Sequence, residues 1–191
     1  GDVVPSGQAD KQVGQWMKNV RTGRSMDQFC FAARWFFRPN DYAAIVVQLR
    51  ALRGTEYEHL ELTSQQRLWS SQFKVLPNSD RMGCRLEGAP LALQSKIELV
   101  SDGLVVGTLQ LPPSGNPILI LADGAPTGGY PRIAQIVSAD HCKAGQLRPG
   151  MSIALTEVSI EEAQSLYREQ RTMMSALESQ IAIQWRGMVD E

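Results

Sequence analysis

Glycine and proline cut the stretch from Ser79 to Val158 into short pieces, and that spacing limits the fold more than any other property of the chain. Between the breakers lie six apolar or alternating runs: Gly83 to Glu87, Lys96 to Val100, Leu104 to Leu111, Pro117 to Asp123, Arg132 to Ser138 and Ser152 to Val158. Each is long enough for a strand and too short for a long helix, so a largely antiparallel barrel or sandwich is expected. Prolines 112, 113, 117 and 131 cannot donate to a ladder and belong at strand starts, edges and turns.

Upstream, Ala43 to Leu52 is β-branched, apolar and stopped by Arg53-Gly54, as a buried strand would be. Tyr57 to Trp69 carries a moderate helical pattern, and Ser71 to Pro77 alternates like a half-buried strand. Asp140 to Leu147 is a short helix candidate. From Ser159 the pattern changes: a capping box with Glu162 precedes Ala163, Leu166, Tyr167, Met173, Met174, Leu177, Ile181 and Trp185 at helical spacing. A helix of about 27 residues is expected, stopping at Gly187 and about 40 Å long, more than one small barrel can cover. The aromatics between Met26 and Phe37 are expected to fill an interior. The fold class is thus mainly β (β-rich α+β), with residues 35–158 as the barrel, 159–191 as the helix and 1–34 as linker or remnant.

Nineteen basic and twenty acidic side chains leave a net charge of -1, no field for a polyanion or an anionic membrane. Nucleic acid and membranes are therefore not expected partners. Cys30, Cys84 and Cys142 are odd in number and lack CxxC spacing, which points to a reducing cytoplasm and to neither a disulfide framework nor a zinc site. HExxH is absent as well, so no metal is expected.

Three turn clusters carry the candidate chemistry. SDRMGCRLEG places Arg81 and Arg85 on one face of an extended segment beside Asp80, and two planar guanidiniums suit a carboxylate or phosphate. An ion pair of Asp80 with one of the arginines is the structural alternative. GTLQLPPSGNP offers Gln110, Ser114 and Gly115 beside turn N–H groups, but without the lysine of a P-loop. LADGAPTGGYP holds Thr127, Gly128, Gly129 and Tyr130, glycines that let backbone approach a ligand and a ring that can stack, or simply a tight barrel corner. His59 and His141 are expected on helices away from these turns, His141 at the surface.

SDRMGCRLEG, SDGLVVGTLQLPPSGNPILILADGAPTGGYPRIAQIVSAD and GQLRPG together resemble the allophanate hydrolase subunit 2 family, also called the biotin-dependent carboxyltransferase or KipA family. The resemblance runs from about Trp35 to Ala163. It implies a cyclophilin-like β-barrel and a component of an ATP-dependent amide or lactam hydrolase like the C subunit of 5-oxoprolinase, working with a KipI-like and a LamB/YcsF-like subunit. ATP would act through that complex. Arg81 and Arg85 would then bind an anionic substrate or phosphoryl group, and Asp80 or Asp123 would orient a reacting group or water. Two other activities are implied by neighbouring branches: a carboxyltransferase domain of a biotin-dependent urea or amide carboxylase, and a non-catalytic module that binds a KipI-like kinase inhibitor. Family members are longer at the amino terminus, which, with GDVVPSGQAD as a start, implies entry midway through a leading subdomain. Cys84 stands where the family usually has Tyr, and Gly124 to Pro126 replace its Arg and Gln.

Overall fold

Alternation of buried and exposed side chains sets the strands. In β1 (Val46–Arg53), Val47, Leu49 and Ala51 turn inward while Gln48 faces solvent. In β2 (Gln72–Val75), Phe73 and Val75 do the same, and in β3 (Gly83–Glu87) it is Cys84 and Leu86. This computed structural model describes residues 45–189, with side chains up to 179. The aromatic run between Met26 and Phe37 and the expected 1–34 segment lie outside the described residues.

After β3 come β4 (Asp102–Gly103), β5 (Thr108–Gln110), β6 (Ile118–Ile120), β7 (Thr127–Gly128), β8 (Arg132–Ile136) and β9 (Ser152–Glu157). Seven of them close a barrel in the order β1-β8-β5-β6-β3-β2-β9, and β4 pairs with β7 in a separate two-stranded flap. Every barrel seam is antiparallel except β1 with β9, whose parallel register runs from Val46 opposite Ser152 to Ala51 opposite Glu157. An odd number of strands cannot alternate direction all the way round a ring, so one parallel seam is required. The expected barrel, mainly β and cyclophilin-like with a long carboxy-terminal helix, is what the chain forms.

Where the expected elements differ from the observed ones, the closed barrel supplies the reason. Lys96 to Val100 is not a strand: a closed barrel has no edge to offer it, and Glu98 and Val100 project into solvent. The strand expected over Leu104 to Leu111 shrinks to β5, because Gly107 turns the chain at φ +88. A Cβ there would lie 2.8 Å from Gln135 Nε2 and 3.0 Å from Ile136 O, so glycine serves both the dihedral and the close approach. Tyr57 to Trp69 is not one helix but a 3-10 turn (Tyr57–His59) and α1 (Leu62–Ser70), separated by Leu60, which is extended and bridges Leu93. The two pieces meet again where Trp69 Nε1 donates to Tyr57 Oη at 2.9 Å.

A 3-10 turn (Ser138–Asp140) leads into α2 (His141–Ala144). Its last residue, Asp140, is fully buried. It accepts from Arg50 N at 2.9 Å, from Arg50 Nε at 2.9 Å and from the Arg50 guanidinium again at 2.6 Å, with Lys143 Nζ at 2.8 Å, tying the turn to β1. The last helix, α3 (Ile160–Val189), begins with Glu162 N–H donating to Ser159 Oγ at 3.2 Å. It runs past Gly187, since a single helical glycine costs about 1 kcal/mol and does not by itself end a helix. Its thirty residues span about 45 Å. Gln170 Nε2 bonds Ala139 O at 3.3 Å, so the helix leans on the turn that Asp140 holds.

Candidate functional site

On β5 the side chains alternate: Leu109 enters the core opposite Ala134, while Thr108 and Gln110 point away from it. An outward polar residue on a barrel is normally wet, yet Gln110 is only 5% exposed, because the β4–β7 flap covers it. Gln110 Nε2 donates to Tyr130 O at 3.3 Å. A Cβ on Gly128 would sit 2.7 Å from that amide nitrogen and 2.7 Å from Leu104 Cδ1, so glycine is what allows the flap to close on the glutamine. Gly129 is less crowded, its nearest neighbours being Leu99 O at 3.6 Å and Ser101 Oγ at 3.8 Å. Tyr130 is 46% exposed beside them. Gln110, Thr127, Gly128, Gly129 and Tyr130, taken from two separate sequence clusters, thus converge at one flap.

Two acids and an arginine that sequence reasoning missed hold this flap in place. Arg132 N donates to Glu56 Oε2 at 2.8 Å, its guanidinium grips both Glu56 oxygens at 3.0 and 2.9 Å, and its remaining nitrogen reaches Asp102 Oδ2 on β4 at 2.7 Å. The Arg132 hydrogen bond holds the buried Glu56 carboxyl below the usual range, against a burial effect that pushes it up. Asp102 is lowered by the Gly103 N–H and then by Arg132, and Arg132 itself is raised, first by Glu56. The signal was present in part, since Arg132 follows the GGYP turn directly. Nothing in the spacing could link it to Glu56, 76 residues away.

At the other end of the loop that forms β7, Arg81 Nε lies 3.0 Å from Asp123 Oδ2, with the two side chains 91% and 48% exposed. Backbone bonds from Asp123 N to Arg81 O and from Leu121 N to Met82 O dock the two turns. Asp80 Oδ1 accepts from Met82 N at 2.8 Å and Gly83 N at 3.1 Å, shaping the turn. The partner of the arginine is therefore Asp123 rather than Asp80. Arg85, on the outward face of β3, has no side-chain partner among the described residues. A pair as exposed as Arg81 with Asp123 contributes about 0–1 kcal/mol to stability and can exchange partners with an anionic ligand at little cost.

Ser114 and Gly115 do not join either group. Gly115 N–H is spent on Pro112 O at 3.0 Å, Ser114 Oγ accepts from Asn116 N at 3.4 Å, and Gly115 O receives Leu91 N at 3.0 Å. Gly115 N–H is thus engaged within the turn and is not offered to a ligand. Among the described residues no group of three or more His, Cys, Asp and Glu could hold a metal ion, and no helix is long and apolar enough to cross a membrane. His141 is not a free surface histidine: it is half-buried, and its Nε2 lies 3.2 Å from Ile136 O.

Residues 2–157 match the family described as carboxyltransferase domain, subdomain A and B. The chain is 38% identical over 143 residues to the 5-oxoprolinase C subunit of Haemophilus influenzae, covering 75% of this chain and 44% of that protein. It is 38% identical over 130 residues to the 5-oxoprolinase C subunit of Escherichia coli, covering 68% and 42%. A more distant likeness, 29% over 125 residues, links it to the urea amidolyase of Lachancea kluyveri and covers 60% of this chain and 7% of that one. Among solved structures, K. lactis urea amidolyase superposes with a TM-score of 0.63 at 22% identity, over 66% of this chain and 8% of that chain, a likeness of fold. The chain spans less than half the length of the 5-oxoprolinase proteins it matches.

Proposed function

The chain belongs to the carboxyltransferase domain family, subdomain A and B, and from that premise we propose that it serves in a cytoplasmic, ATP-dependent amide or lactam hydrolase of the 5-oxoprolinase type, as part of its C subunit. The observation that carries the proposal is the higher identity to two 5-oxoprolinase C subunits than to urea amidolyase. The complex also holds a KipI-like subunit and a LamB/YcsF-like subunit, and this chain is inactive alone. ATP acts through that complex as a whole.

On this barrel the chemistry falls to binding and orientation. Arg81 and Arg85 receive an anionic group, the first by releasing Asp123, which then accepts a hydrogen bond from a reacting water or amide. The flap residues Gln110 and Tyr130 frame a small polar substrate and limit access of bulk water. A second reading, a carboxyltransferase acting on a urea-like amide with biotin supplied by another chain, is favoured by the urea amidolyase likeness.

Reconstitution of the full-length protein with its two partner proteins separates these readings. ATP-dependent ring opening of 5-oxoproline to glutamate is the expected result. Carboxylation of urea in a mixture with a biotin carboxylase and biotin carrier would replace it with the second reading. Tight capture of the KipI-like protein with neither activity would make this chain a binding module.

A further inference from the structure

Beside the flap, a groove of about 790 Å³ lies between the first turns of α3 and the barrel. Val105 and Val106 form one wall, Ala163 and Tyr167 the other, and Leu52 and Ile136 line the floor. Its size falls within the range of small-molecule sites, roughly 300–1,000 Å³. The α3 wall lies beyond residues 2–157, the part that matches the family, so the groove is built partly from a segment that the family match does not cover. β1 and β8 beneath it are each paired on both sides, which leaves no strand edge for an extended peptide.

The charge at its rim is one-sided. Arg168 borders the groove, and among the described residues its guanidinium has no acidic partner. Its neighbours three and four residues away on the helix are Gln164, Ser165, Arg171 and Thr172, none of which can neutralise it. Among the described residues no acidic residue lines the groove, and Glu161 is held at the helix start by its own backbone N–H and by Ser159. Polar groups in the floor are already satisfied: Gln135 Nε2 bonds Val106 O at 2.8 Å and its Oε1 receives Thr108 Oγ1 at 2.9 Å. What remains is an apolar trough with one unpaired guanidinium at its edge.

We propose that this groove binds an amphipathic carboxylate, its apolar body lying along Val105, Val106 and Tyr167 and its carboxylate paired with Arg168. A guanidinium and a carboxylate form two parallel charge-assisted hydrogen bonds, whereas a neutral amide of the same shape can offer only its carbonyl. The site is distinct from the Arg81 and flap residues and needs no partner protein, so it stands whether or not the proposed activity does.

The test uses octanoate and its uncharged counterpart octanamide, titrated into the full chain and followed by amide and methyl NMR shifts. Octanoate is expected to bind about ten-fold tighter than octanamide, with shifts at Val105, Val106, Ala163 and Tyr167. Arg168→Gln should bring the two ligands within about two-fold of each other, and Ala163→Phe, which fills the trough, should weaken both. Arg168 is exposed, so its variant is expected to fold normally. Equal binding of the two ligands, no saturable binding of octanoate, or an undiminished carboxylate preference in Arg168→Gln would each overturn the proposal.

Discussion

Replacing Asp140 by Asn is expected to lower the melting temperature more than any change at the flap surface. The carboxylate has zero exposure and is shared by Arg50, which is 22% exposed, and Lys143, which is 24% exposed. Removing one partner of a buried ion pair costs about 3–5 kcal/mol when the charges left behind stay dry. Here the two cations keep some solvent, and asparagine retains one acceptor, so a cost at the low end, about 3 kcal/mol, is expected. For a protein of this size each kcal/mol moves the midpoint by about 2–4 °C, giving a fall of about 6–12 °C at pH 7 by calorimetry. The pH dependence has a definite sign. Burial pushes the Asp140 carboxyl up, but hydrogen bonds from Arg50 and Lys143 outweigh it and the net shift is downward. A carboxyl lowered in the folded state contributes its full stabilisation above the unfolded value, about 4, and loses it as pH falls through the folded value. The gap between wild type and Asp140→Asn should therefore be constant from about pH 8 to 5 and close below about pH 4. An unchanged midpoint at about pH 7, or a gap that persists undiminished at about pH 2.5, would refute the reasoning.

Arg81→Ala should abolish ADP release by the reconstituted complex while the barrel melts within about 0.5 kcal/mol of wild type, since the side chain is 91% exposed; normal turnover would remove it from the site. Gly128→Val forces a branched side chain against Gln110 and Leu104 and should cost about 1–3 kcal/mol, with faster hydrogen exchange at Gly103 on the paired flap strand; an unchanged exchange rate would mean that the flap does not depend on that contact. Burial, with a smaller effect of Asp80, pushes the Cys84 thiol up to about 11, so at about pH 7.5 iodoacetamide should label Cys142 and spare Cys84 in the folded chain, as peptide mass mapping will show.

The barrel was legible because its cause is local: alternation in β1, β2 and β3 and breakers between short runs leave few other closed solutions. The parallel β1–β9 seam was not, because it follows from the number of strands around the ring, which no single segment encodes. Lys96 to Val100 shows the converse. Its sequence suits a strand, but pairing requires an open neighbour, and the ring has none. At the candidate site, the turns announced themselves by composition, and the meeting of Gln110 with Gly128 and Tyr130 follows from residues within twenty positions of each other. That Asp80 bonds its own turn was not legible, because an aspartate beside a glycine turn reads the same whether it serves a substrate or caps its own backbone. The Glu56–Arg132–Asp102 network was invisible, since ion pairs over such separations depend on the finished topology.

The role proposed for this chain is tested most directly by the yield of glutamate and ADP from 5-oxoproline and ATP, using the reconstituted complex with and without the full-length protein. Glutamate and ADP formed together, and lost when this protein is omitted, are the predicted result. Undiminished 5-oxoproline hydrolysis in its absence, or urea carboxylation with no glutamate formed, would contradict it.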